Sequence, residues 1–178
     1  NREEVKKHIQ KINPDIVFHL AAQPLVVTSY KDPVGTWETN VMGTINILES
    51  IKDLDNDCIG VFITTDKVYK NNEWIYGYRE NDQLGGYDPY SSSKAACEIA
   101  ISSWRSSFAN QSVNKNSISA LASARAGNVI GGGDWSENRI IPDVVKCLRN
   151  NKKINIRNPK STRPWQHVLE PLSGYLLL

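Results

Sequence analysis

Apolar runs rich in β-branched residues alternate with amphipathic helical segments along this chain, and that alternation is the strongest constraint on its fold. The runs at residues 16–20, 59–64 and 118–124 have the composition of strands, whereas 34–51 and 92–109 place apolar residues at helical spacing. Strands joined by helical crossovers of this length lie parallel in one sheet. We therefore predict an α/β fold built on a doubly wound parallel sheet, with helices on both faces.

Weaker patterns flank this central part. Apolar spacing predicts a helix near the start of the chain, and a polar stretch at 110–117 precedes the last strand-like run. Beyond that run we predict a helix at 139–148, a short strand at 154–157 and a helix from Gln166 onward. No repeat or low-complexity tract interrupts the pattern.

The composition excludes several classes of protein. With 178 residues, 40% of them hydrophobic, the chain can bury a core. Its 21 basic and 19 acidic residues leave a net charge of +2 without a basic run, which argues against nucleic-acid and membrane-surface binding. No apolar stretch approaches the roughly 20 residues that cross a bilayer, so we expect a cytoplasmic protein. Cys58, Cys97 and Cys147 are odd in number and far apart, which suits neither disulfides nor a metal site.

A tyrosine and a lysine four residues apart form the first chemical motif. Tyr90 and Lys94 would lie on one helical face, where the ammonium favours the phenolate and lowers the pKa of the phenol. Such a pair can take a proton from an alcohol. By itself the same spacing is also common on solvated helices.

The second motif follows the strand-like run at 59–64. Ligands of parallel sheets bind beyond the carboxyl ends of the strands, so we expect Thr64, Thr65, Asp66 and Lys67 to face the same crevice as the Tyr90 helix. The hydroxyls can hydrogen-bond a substrate alcohol, and the carboxylate can exchange a proton. A threonine and an aspartate that merely cap a turn are an equal alternative.

The segment after the first predicted strand carries small residues that let a ligand approach the backbone. These are Ala21 and Ala22, followed by Gln23. His19 lies within the strand and fits a hydrogen-bonded core histidine better than a catalyst. Asn40 falls inside a predicted helix, where asparagine is unfavourable and competes for backbone hydrogen bonds.

A glycine-rich segment at 125–135 follows the third predicted strand. It lacks the Lys-Ser/Thr ending of a P-loop, so it is not a triphosphate cradle. Arg139, Arg157 and Arg163 lie downstream, and guanidinium groups suit bidentate phosphate binding. Ordinary surface arginines are the alternative for each of them.

Taken in order, these motifs resemble the extended short-chain dehydrogenase/reductase family. The resemblance covers essentially the whole chain, from 19–22 through 65–67 and 90–94 to 163–168, which reads R-P-W-Q-H-V. Within the family it is similar to the CDP-glucose 4,6-dehydratase branch, because Asp66-Lys67 stands where the dTDP-glucose branch has Asp-Glu. The resemblance implies a Rossmann-type sheet that lacks its first strands.

The resemblance also implies a redox-neutral dehydration on tightly held NAD. Tyr90 would take the proton of the sugar C4 hydroxyl, Lys94 would hold the phenolate and the nicotinamide ribose, and Thr65 would bind the same hydroxyl. Asp66 would protonate the departing C6 hydroxyl. Lys67 is expected beside the reacting sugar, and the group that removes the C5 proton is left open.

The remaining implied roles concern binding. Ala21, Ala22, Asn40 and Thr64 would line or brace the cofactor together with Tyr90 and Lys94. The sugar nucleotide, CDP-glucose, would be held by Gln23, Asn128, Arg139 and Arg163. The resemblance assigns residues 1–135 to the C-terminal half of an NAD-binding domain and 136–178 to part of a sugar-nucleotide-binding region, and it implies a homodimer.

The chain begins at Asn1 inside a helical pattern and stops at Leu178 in an apolar run, so we expect an internal piece of a longer protein. The family's glycine-rich turn would lie upstream of Asn1, and we expect the isolated 178-residue chain to be inactive and poorly soluble. Another sugar-nucleotide enzyme, such as a C4 epimerase, is the first alternative. A non-catalytic dinucleotide-binding protein is the second, although such relatives tend to lose the tyrosine or the lysine.

Overall fold

The computed structural model describes residues 1–109 and 118–178, so the polar stretch 110–117 lies outside the described residues. The chain divides into two compact units, Asn1–Ala126 with the terminal Leu178, and Gly127–Leu177. This division falls before the predicted boundary at residue 135, and the assignment of separate binding roles to the two parts stays a prediction. The helices and strands are α1 (Arg2–Ile12), β1 (Ile16–His19), α2 (Val26–Lys31), α3 (Pro33–Trp37), α4 (Gly43–Lys52), β2 (Cys58–Ile63), α5 (Pro89–Phe108), β3 (Ile118–Ala124), β4 (Asn128–Ile130), α6 (Ile140–Arg149), β5 (Trp165–His167) and α7 (Leu169–Leu177).

The first unit contains a parallel sheet in the order β1-β2-β3, as the alternation of strands and helices predicts. In the β1–β2 ladder Ile16 pairs with Ile59, and in the β2–β3 ladder Ile63 pairs with Ala124. A register shift lies between Cys58 and Ile59. Because the strands are parallel, all three carboxyl ends lie at one edge of the sheet, with β2 in the centre.

The hydrophobic core lies on one face of this sheet. Leu48 and Ile51 from α4 and Ile101 from α5 pack there against Phe62 of β2, and each of these four is almost completely buried. Residues that point to the other face, such as Ile16, Phe18 and Ile59, are 37–51% exposed. Within the described part of the first unit, α4 and α5 cover this core face.

The long helix predicted at 34–51 is continuous but not uniform. A π-helical segment, Glu38–Met42, separates α3 from α4. Asn40 lies in this segment and is 1% exposed. π-Helical turns are found mostly as isolated insertions and often mark functional sites, which gives the unusual asparagine a structural context. The short helix α2 was not predicted, because six residues carry too little periodicity.

The second unit pairs two short parallel strands, β4 and β5. Residues 154–157 form no strand, so that prediction is wrong. The last helix begins at Leu169 rather than Gln166, since Gln166 pairs with Val129 in the strand ladder. Gly127 permits this pairing because a β-carbon there would lie 2.7 Å from the Pro164 ring. Gly127 thus serves close approach of two segments, whereas a β-carbon at Gly132 or Gly133 would meet nothing within 4 Å.

A substitution at Gly60, in the central strand, tests how tightly the core face is packed. A β-carbon at Gly60 would lie 2.7 Å from Leu121 Cδ2 and 2.7 Å from Phe62 Cε2. We expect Gly60→Ala to lower the free energy of unfolding by about 1–3 kcal/mol, because an overfilled core forces neighbours off their rotamers. Urea unfolding followed by circular dichroism measures the change.

Gly43→Ala is the matched control, since nothing lies within 4 Å of a β-carbon at Gly43 in α4. That substitution should leave stability unchanged or raise it by up to about 1 kcal/mol through helix propensity. Equal effects of the two substitutions would contradict the packing described for Gly60.

His19, the last residue of β1, is a core histidine. Its ring meets Phe62 edge-on at a centroid distance of 5.5 Å, and the Thr44 hydroxyl lies 3.3 Å from Nε2. Burial, with a smaller effect of the Lys94 charge, lowers the pKa of His19 from 6.5 to about 4. The imidazole is therefore neutral at physiological pH, which agrees with the prediction of a structural role.

We expect the His19 ring to titrate near pH 4 in the folded protein. A lowered folded-state pKa means that its contribution to stability is complete above about pH 6.5 and is lost as the pH falls toward 4. NMR titration of the ring measures the midpoint, and a midpoint near 6.5 would contradict the burial argument. The His19→Gln variant identifies the NMR signal of His19 by its loss. Its free energy of unfolding should also depend less on pH between about 6.5 and 4.

Candidate active site

Buried polar side chains collect where the strands of the first unit end. Thr64 and Thr65 follow β2 and are 7% and 5% exposed, and Lys94 of α5 is 5% exposed. The Lys94 ammonium donates a hydrogen bond to the Ile63 carbonyl at 3.1 Å. This bond brings the lysine of the predicted motif to the end of the central strand, where ligands of parallel sheets bind.

The helix that carries Tyr90 and Lys94 begins three residues before the predicted start at Ser92. Asp88 caps it, since its carboxylate accepts from the Ser91 N–H at 3.0 Å, and Pro89 occupies the first helical position. Gly86 has φ +98°, and a β-carbon there would lie 2.5 Å from the Ser91 backbone. The glycine thus allows the chain to enter this helix at a sharp turn.

Tyr90 is 8% exposed and lies in the first turn of α5, one turn before Lys94. Burial lowers the pKa of Lys94, while the nearby Cys97 and Glu98 act in the opposite direction. A buried cation one turn from a phenol favours the phenolate form of that phenol. The arrangement matches the predicted tyrosine–lysine pair rather than a solvated helix surface.

Asp66–Val68 form a 3-10 turn that begins immediately beyond the end of β2 and packs against α5. The Asp66 N–H donates to the Ala126 carbonyl at 3.0 Å. The Thr65 hydroxyl donates to Asp66 Oδ1 at 3.1 Å, and the Lys67 ammonium lies 2.9 Å from the same oxygen. The Asp66 side chain is 28% exposed, so the carboxylate can reach a ligand as well as its neighbours.

The structure therefore brings Thr64, Thr65, Asp66 and Lys67 together with the helix of Tyr90 and Lys94 at one edge of the sheet. The alternative of a turn that only caps itself accounts for Thr65, which accepts from the Lys67 N–H at 3.4 Å. It does not account for the packing of that turn against α5. The catalytic roles of these residues stay predictions.

Asn40 connects the loop after β1 to the helix of the tyrosine. Its side-chain oxygen accepts from the Gln23 N–H at 2.8 Å, and its amide nitrogen donates to the Ser93 hydroxyl at 2.9 Å. Ala21, exposed, and Ala22, half-buried, lie in the loop that these bonds fix. Asn40 thus braces this edge of the sheet, and its role toward a cofactor stays a prediction.

Gln23 uses its side chain to shape the same loop. Its amide nitrogen donates to the Thr36 hydroxyl at 2.8 Å, and its oxygen accepts from the Leu25 N–H at 2.6 Å. One amide hydrogen remains for a ligand beyond these contacts. Its role in substrate binding stays a prediction.

Glu98 and Arg125 form a buried ion pair that the sequence analysis missed. Arg125 Nη2 lies 3.0 Å from Glu98 Oε2, and the two side chains are 17% and 4% exposed. Burial would raise the pKa of Glu98, but hydrogen bonds from Arg125 and Thr64 outweigh it and lower the pKa. The available signal was the spacing of Tyr90, Lys94 and Glu98, each four residues from the last.

The predicted substrate residues of the second unit lie in separate local settings. Asn128 begins β4, and its N–H donates to the Pro164 carbonyl at 3.1 Å. Arg139 precedes α6 and lies 3.1 Å from the Asp134 carboxylate. Arg163 donates to the Thr162 carbonyl at 2.7 Å. Their roles in substrate binding stay predictions.

Metal binding and membrane crossing have no support in the residues at 1–109 and 118–178. No group of three or more His, Cys, Asp or Glu side chains there is arranged to hold a metal ion. No helix within the same ranges has the length and apolar character required to cross a membrane.

Comparison with known proteins places these features in a family. The sequence model described as GDP-mannose 4,6 dehydratase matches residues 1–178. A CDP-glucose 4,6-dehydratase of Salmonella typhimurium is 53% identical over 176 residues, covering 99% of this chain and 49% of the relative. A dTDP-D-glucose 4,6-dehydratase of Dictyostelium discoideum is 30% identical over 184 residues, covering 97% and 40%. The chain thus spans about half the length or less of these curated relatives.

Solved structures support the same fold. A dTDP-glucose 4,6-dehydratase from Streptomyces venezuelae, with NAD bound, superimposes with a TM-score of 0.83 at 20% identity, over 99% of this chain and 51% of that one. A UDP-glucose 4-epimerase from Thermotoga maritima also gives 0.83 at 20% identity, over 99% and 55%. These likenesses confirm the Rossmann-type α/β fold, and the match along the full sequence shows that the chain belongs to the GDP-mannose 4,6 dehydratase family of extended short-chain dehydrogenase/reductases.

Proposed function

We propose that the protein to which this chain belongs converts CDP-glucose into its 4-keto-6-deoxy derivative on a bound NAD. The observation that carries this proposal is the packing of the Asp66 turn against the helix of Tyr90 and Lys94, at the carboxyl end of β2. The 53% identity to a CDP-glucose 4,6-dehydratase, over nearly the whole chain, supports the choice of reaction and of nucleotide.

The residues at the sheet edge fit a dinucleotide. The Lys94 ammonium and the Tyr90 hydroxyl can hydrogen-bond the hydroxyls of a ribose, and Ala21 and Ala22 leave room for a ligand close to the backbone. Asn40 and Thr64 hold the surrounding backbone rather than the ligand. When bound, NAD+ supplies the acceptor for hydride from C4 and the donor that returns it to C6.

Tyr90 removes the proton from the C4 hydroxyl in the first step. The Lys94 ammonium stabilises the phenolate, and the buried position of both groups strengthens this charge interaction. Thr65 hydrogen-bonds the same hydroxyl and fixes its direction toward the tyrosine. The 4-keto group that results makes the C5 proton acidic enough to leave.

Asp66 delivers a proton to the C6 hydroxyl as water departs. Its carboxyl group is the acid closest to Thr65, and the Lys67 ammonium at 2.9 Å keeps it in place. A C4 epimerase needs the tyrosine and the lysine but no acid at this position. The Asp66–Lys67 pair therefore favours dehydration over epimerisation.

The predicted ligands of the nucleotide diphosphate lie in the second unit. Arg139 is half-buried and Arg163 is exposed, and Asn128 begins a strand of that unit. Guanidinium groups bind phosphate oxygens in a bidentate manner. We assign these three residues to the sugar nucleotide.

We also infer that the protein acts as a cytoplasmic homodimer. Val34, Trp37 and Met42 expose 42–66% of their surface along α3 and the π-helical segment, and they line an apolar groove. An apolar patch of this kind is typical of an interface. Cys58, Cys97 and Cys147 are all free, which suits a reducing compartment.

Incubation of the whole protein with CDP-glucose should give a 4-keto-6-deoxy product without net accumulation of NADH. The product is measured by its absorbance in alkali, and NADH by its near-ultraviolet absorbance. Steady accumulation of NADH would indicate a plain dehydrogenase. Conversion of dTDP-glucose but not of CDP-glucose would contradict the assigned nucleotide.

Asp66→Asn should lower the rate of dehydration by about 10²–10⁴-fold, since it removes a general acid but keeps the shape of the side chain. Exchange of the C4 hydride with the cofactor should persist, because Tyr90 and Lys94 remain. Asp53→Asn is the matched control, because Asp53 is also ion-paired to a lysine, Lys6 of α1, at 2.7 Å, but follows α4 away from this site; it should leave the dehydration rate unchanged. An unchanged dehydration rate in Asp66→Asn would contradict the role of Asp66 as the acid.

A further inference from the structure

Glu98 lies on the same face of α5 as Tyr90 and Lys94, one turn beyond the lysine. Its carboxylate accepts hydrogen bonds from the Thr64 hydroxyl, from the Ser123 hydroxyl at 2.9 Å and from Arg125 at 3.0 Å. These donors come from the end of β2, from β3 and from the residue that follows β3. One buried side chain of α5 thus contacts both neighbouring strand ends.

The contact with Thr64 reaches the Asp66 turn directly. Thr64 immediately precedes Thr65, and its N–H donates to the Ala124 carbonyl at 2.8 Å. The Asp66 N–H continues the same pattern by donating to the Ala126 carbonyl at 3.0 Å. The turn is therefore held by β3 through its backbone and by α5 through the Glu98 side chain.

Arg125 extends the connection to the loop that runs from the Asp66 turn to α5. It donates to the Tyr69 hydroxyl at 3.1 Å and to the Glu80 carbonyl at 2.9 Å, and its guanidinium lies 5.0 Å from the Tyr69 ring centroid. A bridge between Tyr69 and Leu84 closes the base of this loop. The segment between Asp66 and Tyr90 is thus tied at two points to Arg125, the ion-pair partner of Glu98.

Stability alone is a weak reason for such a buried pair. Apolar side chains of the same volume commonly stabilise a core as well as an ion pair does, because both charges lose their hydration. Directional hydrogen bonds, by contrast, fix the distance between the elements that they join. Reactions between oriented groups are sensitive to displacements of about 1 Å, which can change rates by about 10²-fold.

We propose that Glu98 is a positioning residue: its hydrogen bonds to Thr64, Ser123 and Arg125 set the distance between the Thr65–Asp66 turn and the Tyr90–Lys94 helix. This inference rests on the proposed function for its catalytic consequence. The positioning itself is a property of the first unit and can be measured without substrate.

Two substitutions at Glu98 separate the effect of side-chain length from the effect of charge. Glu98→Gln keeps the length of the side chain but removes its charge. Its amide oxygen can still accept from Ser123 and Arg125, and its amide nitrogen can donate to the Thr64 hydroxyl oxygen. Glu98→Asp keeps the charge and the pairing with Arg125 but shortens the side chain by one methylene, so it cannot also reach the Thr64 hydroxyl. If position matters, Glu98→Asp should lower kcat by about tenfold or more while KM stays within about threefold, and Glu98→Gln should keep kcat within about threefold of wild type.

Glu49→Asp is the matched control, because Glu49 is a carboxylate of α4 that is ion-paired to Lys52 and 21% exposed. It should leave kcat unchanged. A kcat of Glu98→Asp equal to that of wild type would overturn the proposal. A loss of kcat in Glu98→Gln as large as that in Glu98→Asp would also overturn it, because it would show that the charge of Glu98 matters rather than its position. Thermal unfolding of each variant identifies any loss of activity that arises because a smaller fraction of the protein is folded.

Hydrogen exchange gives a readout that does not depend on turnover. In the whole protein without substrate, Glu98→Asp should speed the exchange of the Thr64 and Asp66 amides at least about tenfold relative to those of Leu48 and Ile51 in α4, and Glu98→Gln should not. Unchanged exchange would overturn the proposal. If wild type fails to convert CDP-glucose, the proposed function fails, and the exchange rates alone decide the role of Glu98.

Discussion

The hydrogen bond from the Lys94 ammonium to the Ile63 carbonyl fixes the geometry on which the rest of the site depends. It joins a helix to the last residue of the central strand, at a position where the lysine is 5% exposed. A buried ammonium requires such partners, because an unpaired charge in the interior is strongly unfavourable. The need to satisfy this one cation therefore brings the tyrosine-bearing helix to the strand end that also carries Thr65 and Asp66.

Three further connections stabilise the same edge of the sheet. They are made by Asn40, by the Asp66 turn and by Glu98. Asn40 joins the loop after β1 to α5, the Asp66 turn joins β2 to the segment beyond β3, and Glu98 joins α5 to both. Each contact is a hydrogen bond between elements distant in sequence. Together they make a polar layer at the carboxyl edge of a sheet whose core face is otherwise apolar, which is an environment suited to proton transfer.

The periodic features of the sequence predicted the parallel sheet and most of its helices, because burial on one face imposes a spacing that can be read directly. Tyr90, Lys94 and Asp66 were singled out for a related reason, since each follows a strand or lies near the start of a helix, and their catalytic roles stay predictions. The strand at 165–167 and the absence of one at 154–157 depend instead on pairing with β4, a distant partner that local composition does not specify. Glu98 was missed because its four-residue spacing from Lys94 places it on the same helical face but does not indicate that it pairs with Arg125.

The π-helical segment at Glu38–Met42 makes the helix around it intolerant of changes in length. Successive residues of an α-helix are about 100° apart around its axis. A π-helical turn holds about one residue more than an α-helical turn, so removing one residue there would restore ordinary helix and leave α3 and α4 in phase. The residues inside the turn would shift, however, and Asn40 would lose its hydrogen bonds to Ser93 and Gln23. We therefore expect this stretch to tolerate replacement of exposed side chains better than insertion or deletion.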